Sequence, residues 1–203
     1  MNKTLTSIVY THTSCLFEEV PEYYVTEING EIIFINENDE DTIGGKVKYF
    51  FINIKNSVFK ADYLLDLVSN TEPFIGEIYR PDGFSFKKKI ENLSMFGMLS
   101  LNLLILDRLE ILPEFRGNNY SSRIIDDGIK MFGANAGLIT LKAFPLQFEY
   151  KDENKLQSEW NKNMNLDILE KNEERALKKL IEFYKQLGFK KISSNNIMAR
   201  VIE

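Results

Sequence analysis

The clearest hydrophobic pattern in the chain runs from Leu101 to Phe132. It opens with a stretch rich in Leu and Ile that ends at Ile111, shortly before Pro113, which has no N–H group for a strand ladder. A polar turn follows, and apolar residues then recur at helical spacing, at Ile124, Ile125, Ile129, Met131 and Phe132. The pattern therefore predicts a strand over 101–111, a turn over 116–121 and a helix that extends to Phe132.

The first half of the chain carries runs of residues that are typical of antiparallel strands. Tyr23–Ile28 and Glu31–Ile35 flank the pair Asn29-Gly30, whose residues suit the positive φ angles of a type I′ turn. This arrangement predicts a β-hairpin. A further strand is predicted over Thr42–Lys55, which brings the early antiparallel strands to about three.

The remaining elements follow from helical spacing and from residues that start or stop helices. Ser57–Ser69 reads as a helix that Ser57 can cap, and Gly137–Lys142 reads as a buried strand. A long helix is predicted from Asn172 to the natural stop at Gly188, with a terminal strand over 195–202. The buried stripe of that long helix comprises Leu177, Leu180, Ile181, Tyr184 and Leu187.

The polar turn is the first candidate for chemistry. Its residues are Arg116, Gly117, Asn118, Asn119, Tyr120 and Ser121. Gly and Asn tolerate left-handed backbone angles, so such a turn can aim several N–H groups at one point. Because the first N–H groups of a helix also lack partners, the turn is a natural site for a phosphate-bearing ligand. The alternative is an ordinary connection between a strand and a helix.

Composition narrows the classes of function. The 203 residues are 44% hydrophobic and 27% charged, which is typical of one globular domain. The net charge of −5 argues against general nucleic-acid binding but leaves a cationic substrate open. A single cysteine, Cys15, excludes a disulfide framework and a Cys-rich metal site, and no metal is predicted. Neither a signal peptide nor a segment of transmembrane length is evident, so a cytoplasmic protein without a membrane partner is expected.

Two segments carry a resemblance to a known family. LEILPEFRGNNYSSRII resembles the coenzyme A-binding segment of the GNAT N-acetyltransferases, whose motif is Gln/Arg-x-x-Gly-x-Gly/Ala. Arg116 matches the first motif position, whereas Asn119 and Ser121 stand where the family has its middle Gly and its final Gly/Ala. The family's last helix usually ends Phe-Tyr-x-x-x-Gly-Phe, and Phe183–Phe189 matches that ending fully. The similar segments cover about residues 101–147 and 176–202.

The resemblance implies an α/β (α+β) fold with a mixed, mainly antiparallel central sheet flanked by helices. It implies a single acetyltransferase-like domain over residues 1–203, with insertions at about 56–98 and 150–172. The implied activity is transfer of an acetyl group from acetyl-CoA, the co-substrate, to a primary amine by direct attack. The acceptor is a small molecule, a peptide or a protein. The alternative is a non-catalytic acyl-CoA-binding or regulatory module with the same fold. Whether the chain forms a homodimer stays open.

The resemblance also assigns roles to residues. The turn from Arg116 to Ser121 would hold the pyrophosphate, and the backbones of Leu109, Glu110 and Ile111 would pair with the pantetheine arm. Tyr184 would protonate the coenzyme sulfur as general acid, although it also fits simple packing on the helix stripe.

The general base is left open. Asp107 and Glu110 are both candidates on the central strand, and a water chain is a third route. By strand parity, Asp107 shares a face with Leu109 and Ile111 and Glu110 faces away from them, unless a bulge intervenes.

Overall fold

Seven strands form one sheet in the computed structural model, which describes residues 4–35, 40–68, 70–149 and 158–202. The order in the sheet is β1-β2-β3-β4-β5-β7-β6. The strands are β1 (Thr4–His12), β2 (Val25–Ile35), β3 (Asp41–Ile52), β4 (Leu103–Ile111), β5 (Leu138–Lys142), β6 (Lys190–Lys191) and β7 (Ile197–Val201). Only β4 and β5 pair in parallel within this sheet, and the other neighbours are antiparallel. The predicted mixed, mainly antiparallel α+β fold is therefore confirmed.

Five α-helices occur in the described residues, and two of them are long. They are α1 (Ala61–Asp66), α2 (Lys88–Glu91), α3 (Tyr120–Phe132), α4 (Glu159–Asn163) and α5 (Glu173–Gln186). In α5 the Asn172 side chain accepts a hydrogen bond from the Arg175 amide at 2.9 Å, and Gly188 takes the left-handed backbone that ends the helix. These caps confirm the predicted start and stop of the last helix. None of the helices in these ranges is long and apolar enough to span a lipid bilayer.

The sheet separates two hydrophobic cores. On one face, α3 and α5 pack against strand residues such as Ile32, Tyr49 and Leu106. On the other face, the segment between β3 and β4 packs against the half of the sheet that contains the start of β4, with α1 residues Leu64 and Leu65 fully buried. The other half of that face, beside the end of β4, carries polar side chains instead, which leaves room for chemistry there.

The predicted hairpin at Asn29-Gly30 is wrong, because both residues lie inside the continuous strand β2. Gly30 is paired with Tyr10 on one side and Val47 on the other. A Cβ atom at Gly30 would come within 2.7 Å of Val47 Cγ1 and 2.9 Å of Tyr10 Cε1. A glycine is therefore needed at position 30 to make room for the side chains of the neighbouring strands, and its presence does not indicate a turn. The third early strand is β1, which the pattern did not predict.

The predicted helix over 57–69 is much shorter than expected. Helix α1 begins at Ala61, and Ser57 does not cap it, because its hydroxyl accepts a hydrogen bond from the Phe59 amide at 2.9 Å. The polar segment 150–172 includes α4 and a short 3-10 turn over Leu166–Ile168, whereas residues 150–157 and residue 69 lie outside the described ranges. The predictions for β4, α3, β5 and β7 are confirmed within about two residues of their ends.

Candidate functional site

A gap opens beside the central strand where its parallel partner ends. β4 and β5 pair from Leu103 opposite Leu138 to Leu106 opposite Leu141. β4 continues to Ile111, but β5 stops at Lys142. Beyond Leu106, the edge of β4 that faces away from β3 has no strand paired with it in the described part of the chain. A stretch of backbone in the middle of the sheet therefore remains free for a ligand.

A β-bulge sits at the point where the gap begins. Lys48 of β3 pairs with Arg108, whereas the next residue, Tyr49, pairs with Leu106, so Asp107 is the extra residue. Leu106 and Leu109 consequently both face the core beneath α3 and α5. Strand alternation is therefore interrupted at Asp107. The bulge that the sequence analysis named as a possible exception is present.

The direction of the free backbone groups follows from the β3 pairing. The Leu112 amide donates to the Gly44 carbonyl of β3 at 2.9 Å. Because successive residues of a strand point their backbone groups to opposite sides, those of Ile111 and Leu109 face the gap and those of Glu110 face β3. The Ile111 carbonyl already accepts a hydrogen bond from Arg116 Nε at 2.8 Å. The backbone N–H groups of Leu109 and Ile111 and the Leu109 carbonyl remain for a ligand.

The gap belongs to a cleft of about 530 Å³, a volume typical of small-molecule sites. Its walls come from the C-terminal part of β4, the segment after β5, the stretch that follows α4 and one face of α5. Apolar lining residues include Leu106, Leu109, Phe144, Leu180, Phe183 and Tyr184. Polar lining residues include Asp107, Arg108, Arg116, Ser121 and Lys142. The cleft thus combines an apolar body with charged groups along β4 and at the turn before α3.

The turn before α3 presents unpaired amides. Gly117, Asn118 and Asn119 adopt left-handed φ angles of 99°, 50° and 59° in succession. The backbone N–H groups of these residues, and of Ser121 and Ser122, form no hydrogen bond within the described ranges. They lie at the N-terminus of a 13-residue helix, where the helix dipole adds partial positive charge. This arrangement suits an anion such as a phosphate.

Arg116 adds a full positive charge beside the turn. Its guanidinium donates to the carbonyls of Ile111 and Met164, the latter at 2.7 Å, and its Nη1 is buried without a partner. It forms no salt bridge with any carboxylate of the described chain. Burial lowers the pKa of the guanidinium, and the charge of the nearby Glu114 carboxylate opposes this effect in part, so the arginine stays charged. A bound anion would compensate this charge.

The two candidate carboxylates occupy different environments. Asp107 lines the cleft and accepts a hydrogen bond from Asn70 Nδ2 at 3.1 Å, and burial raises its pKa above the ordinary value. Glu110 lies on the polar face, where one oxygen accepts from Arg108 at 2.8 Å and the other from Trp160 Nε1 at 2.7 Å. Since both Glu110 oxygens are engaged, Asp107 is the carboxylate with access to the cleft.

A charged network surrounds Glu110. Arg108 also forms a salt bridge with Glu149, and Lys46 Nζ lies 4.3 Å from the centre of the Trp160 ring. Burial lowers the pKa of Arg108, but the two carboxylates together outweigh it, so the pKa is raised and Arg108 stays charged. The sequence did not single out Glu149 or Lys142 as site residues. No motif marks either residue, because Lys142 ends β5, Glu149 lies in the segment after it, and only the fold brings them to the site.

Tyr184 lies on α5 and lines the cleft. Its ring contacts Phe189 edge to face, with centroids 5.8 Å apart. Burial raises its pKa to about 12, so the phenol keeps its proton at neutral pH. Its hydroxyl forms no hydrogen bond with the residues that the structure describes, which leaves the proton available to a ligand.

The search for relatives gave no match among protein-family models, curated proteins or solved structures.

Proposed function

We propose that this protein is an acetyltransferase that transfers the acetyl group of acetyl-CoA to a primary amine. The observation that carries the proposal is the set of unpaired amides of Gly117, Asn118, Asn119, Ser121 and Ser122, next to the Arg116 guanidinium, whose buried Nη1 has no hydrogen bond within the described residues. The resemblance of the turn and of Phe183–Phe189 to the GNAT N-acetyltransferases supports the same activity. The proposal therefore combines a sequence likeness with a site whose amides and guanidinium suit an anion.

The coenzyme would lie along β4, with its pyrophosphate at the turn before α3 and its thioester near Asp107. The pyrophosphate would accept hydrogen bonds from the turn amides and neutralise Arg116. The pantetheine arm carries amides and is linear, so it can pair with the free backbone groups of Ile111 and Leu109 as an added strand would. The thioester would then lie near Asp107, four residues or roughly 13 Å further along β4 than Ile111.

The chemical step needs a base, an oxyanion donor and an acid. The amine nitrogen attacks the thioester carbonyl carbon, the carbonyl oxygen gains negative charge, and the carbon–sulfur bond then breaks. The Leu109 amide would donate to the oxyanion, and Tyr184 would give its proton to the departing thiolate. Asp107, directly or through water, would accept the proton that the amine loses. Its raised pKa makes it a better base than an ordinary aspartate.

Binding is tested first by calorimetric titration of the wild type with acetyl-CoA. Ser121→Glu places a carboxylate beside the proposed pyrophosphate, and the expected loss of affinity is roughly 100-fold or more, because like charges in contact cost several kcal/mol. A glutamate in the first turn of a helix stabilises the helix, so unfolding cannot explain the loss. The matched control is Ser121→Ala, which keeps the amide and should bind within about threefold of the wild type.

Two results would contradict the binding site. One is a wild type that does not bind acetyl-CoA. The other is a Ser121→Glu variant that binds as the wild type does. Pantetheine, which lacks the pyrophosphate, provides a second comparison and should bind far more weakly than coenzyme A to the wild type.

The non-catalytic alternative is favoured by one contact: Arg116 Nε occupies the Ile111 carbonyl that a pantetheine arm could use. A turnover assay separates the two functions by following thiol release from acetyl-CoA across a panel of amines. For an enzyme, Tyr184→Phe should lower kcat by about 10²-fold or more while coenzyme binding persists. Equal turnover would remove Tyr184 from the mechanism, and coenzyme binding without turnover would favour the regulatory module.

A further inference from the structure

Strand β1 forms an open edge of the sheet. It has nine residues and pairs with β2 alone in the described part of the chain. About half of its backbone N–H and C=O groups therefore point away from the sheet without a strand partner. Such an edge is a template for a further strand.

Natural edge strands usually carry devices that prevent pairing, such as charged side chains, proline or a bulge. β1 contains no Lys, Arg, Asp, Glu or Pro. It has one irregularity, between Leu5 and Ser7, so the stretch Ser7–His12 stays regular. Roughly 20 Å of regular, uncharged edge is consequently open to another strand.

Apolar side chains lie exposed along and just beyond this edge. Val9 is 52% exposed although it sits in the middle of the regular stretch. Leu16 and Phe17, which follow the end of β1, are 83% and 70% exposed. Apolar groups of this kind beside free backbone groups are the features of an edge that another chain covers.

We propose that a second copy of this chain covers β1, through antiparallel pairing of β1 with its own symmetry mate. A two-fold axis perpendicular to the sheet keeps each face of one sheet continuous with the same face of the other. The axis would pass beside Val9, so that Val9 faces its mate, Ser7 faces Thr11 and Ile8 faces Tyr10. Because β1 carries no formal charge at neutral pH, pairing with itself brings no like charges together. This uncharged self-complementarity favours a second copy over a partner recognised by charge.

The pairing would also extend a groove of about 430 Å³ on the polar face of the sheet. Val9 and Thr11 form its outer wall and Arg108 its inner wall, and Arg108 lines the coenzyme cleft as well. In the dimer, the groove of one copy would meet that of the other across the axis. The dimer does not depend on the proposed acetyltransferase activity.

The test is sedimentation velocity of the full chain between about 1 and 200 µM, a range that covers weak and strong association. The wild type should approach twice the monomer mass of 23.6 kDa. Val9→Lys and Val9→Glu should each weaken association on the order of 10-fold or more, because like charges then face each other across the axis. An equimolar mixture of the two variants should recover the dimer, because the facing charges are opposite.

The matched control is Ile43→Lys, the same kind of change at a 39% exposed position on β3, away from the edge. It should leave the dimer intact. Circular dichroism of each variant checks that the fold is retained. A monomeric wild type at 200 µM would overturn the proposal. Failure of the Val9→Lys and Val9→Glu mixture to associate, or a dimer that neither single variant weakens, would overturn it equally.

Discussion

At the residue scale, the site depends on backbone amides and one arginine nitrogen that have no hydrogen-bond partner within the described residues. Gly117, Asn118 and Asn119 hold left-handed angles in a row, and their amides stay unpaired. Asn tolerates this backbone better than most residues, so the two asparagines can replace glycines at the turn. Arg116 contributes a positive charge that forms no salt bridge in the part of the chain that the structure describes. The buried Nη1 without a hydrogen bond costs stability, and a bound anion would relieve that cost.

Asp107→Asn should remove a dependence of stability on pH that Asp107 causes in the wild type. Burial raises the folded-state pKa of Asp107 above its ordinary value of 3.8. The folded protein thus holds this proton more tightly than the unfolded chain, and stability falls as pH rises from 3.8 through the folded-state pKa. The asparagine avoids that loss, so the variant should be more stable than the wild type at pH 7 and nearly equal to it below pH 3.8.

Urea unfolding of both proteins across that pH range measures the difference. A variant that is less stable than the wild type at pH 7 would show that the hydrogen bond to Asn70 outweighs the burial of the charge.

At the element scale, α3 can hold the turn in place because it packs very closely on β3. Tyr49 of β3 is fully buried beneath the helix, and its hydroxyl donates to the Ile124 carbonyl at 3.3 Å. A Cβ atom at Gly128 would lie 2.3 Å from that hydroxyl oxygen. Gly128 is therefore the position at which the helix approaches the sheet, and the approach fixes where the N-terminus of α3 points.

Gly128→Ala should destabilise the protein although alanine is the better helix former. The gain in helix propensity is about 1 kcal/mol, whereas overpacking a core costs typically 1–3 kcal/mol. Because Tyr49 is fully buried, we expect the cost to exceed the gain, with a net loss of up to about 2 kcal/mol in urea unfolding. Lys130→Ala, on the exposed side of the same helix, should change stability by less than about 0.5 kcal/mol. An unchanged or raised stability in Gly128→Ala would show that the helix can shift outward.

At the scale of the whole molecule, the cleft joins β4, the segment after β5 and α5 around one ligand. A ligand that binds only the folded state stabilises all of these elements together. At 100 times its dissociation constant, it contributes about 2.7 kcal/mol. For a chain of this size that corresponds to a rise in Tm of roughly 5–10 °C.

We expect coenzyme A to produce such a rise, and Arg116→Met to reduce it by about half or more, because the charge that faces the pyrophosphate is lost. Lys130→Met removes a cation from the same helix, far from the turn, and should preserve the full rise. Thermal unfolding with and without coenzyme A measures both variants. An equal ligand-induced rise in Arg116→Met and the wild type would exclude Arg116 from the site.

Local signals predicted the segments that position the site. The Leu- and Ile-rich run, the Gly-Asn turn and the spacing of apolar residues placed β4, the turn and α3, while Asn172 and Gly188 marked the ends of α5. Each of these signals acts within a few residues, through backbone angles, caps and one apolar face. The same local reasoning failed at Asn29-Gly30, where the requirement for glycine comes from Tyr10 and Val47 on neighbouring strands.

The sequence by itself thus determined the core elements and the turn that offers its amides, because these follow from spacing and backbone preference. Only the tertiary structure decided that β5 ends early beside β4 and that Asp107 forms a bulge. It also decided that Trp160 and Arg108 donate hydrogen bonds to Glu110 and that Arg116 Nη1 is buried without a partner in the described residues. These features depend on contacts between residues far apart in the chain, which no local pattern encodes.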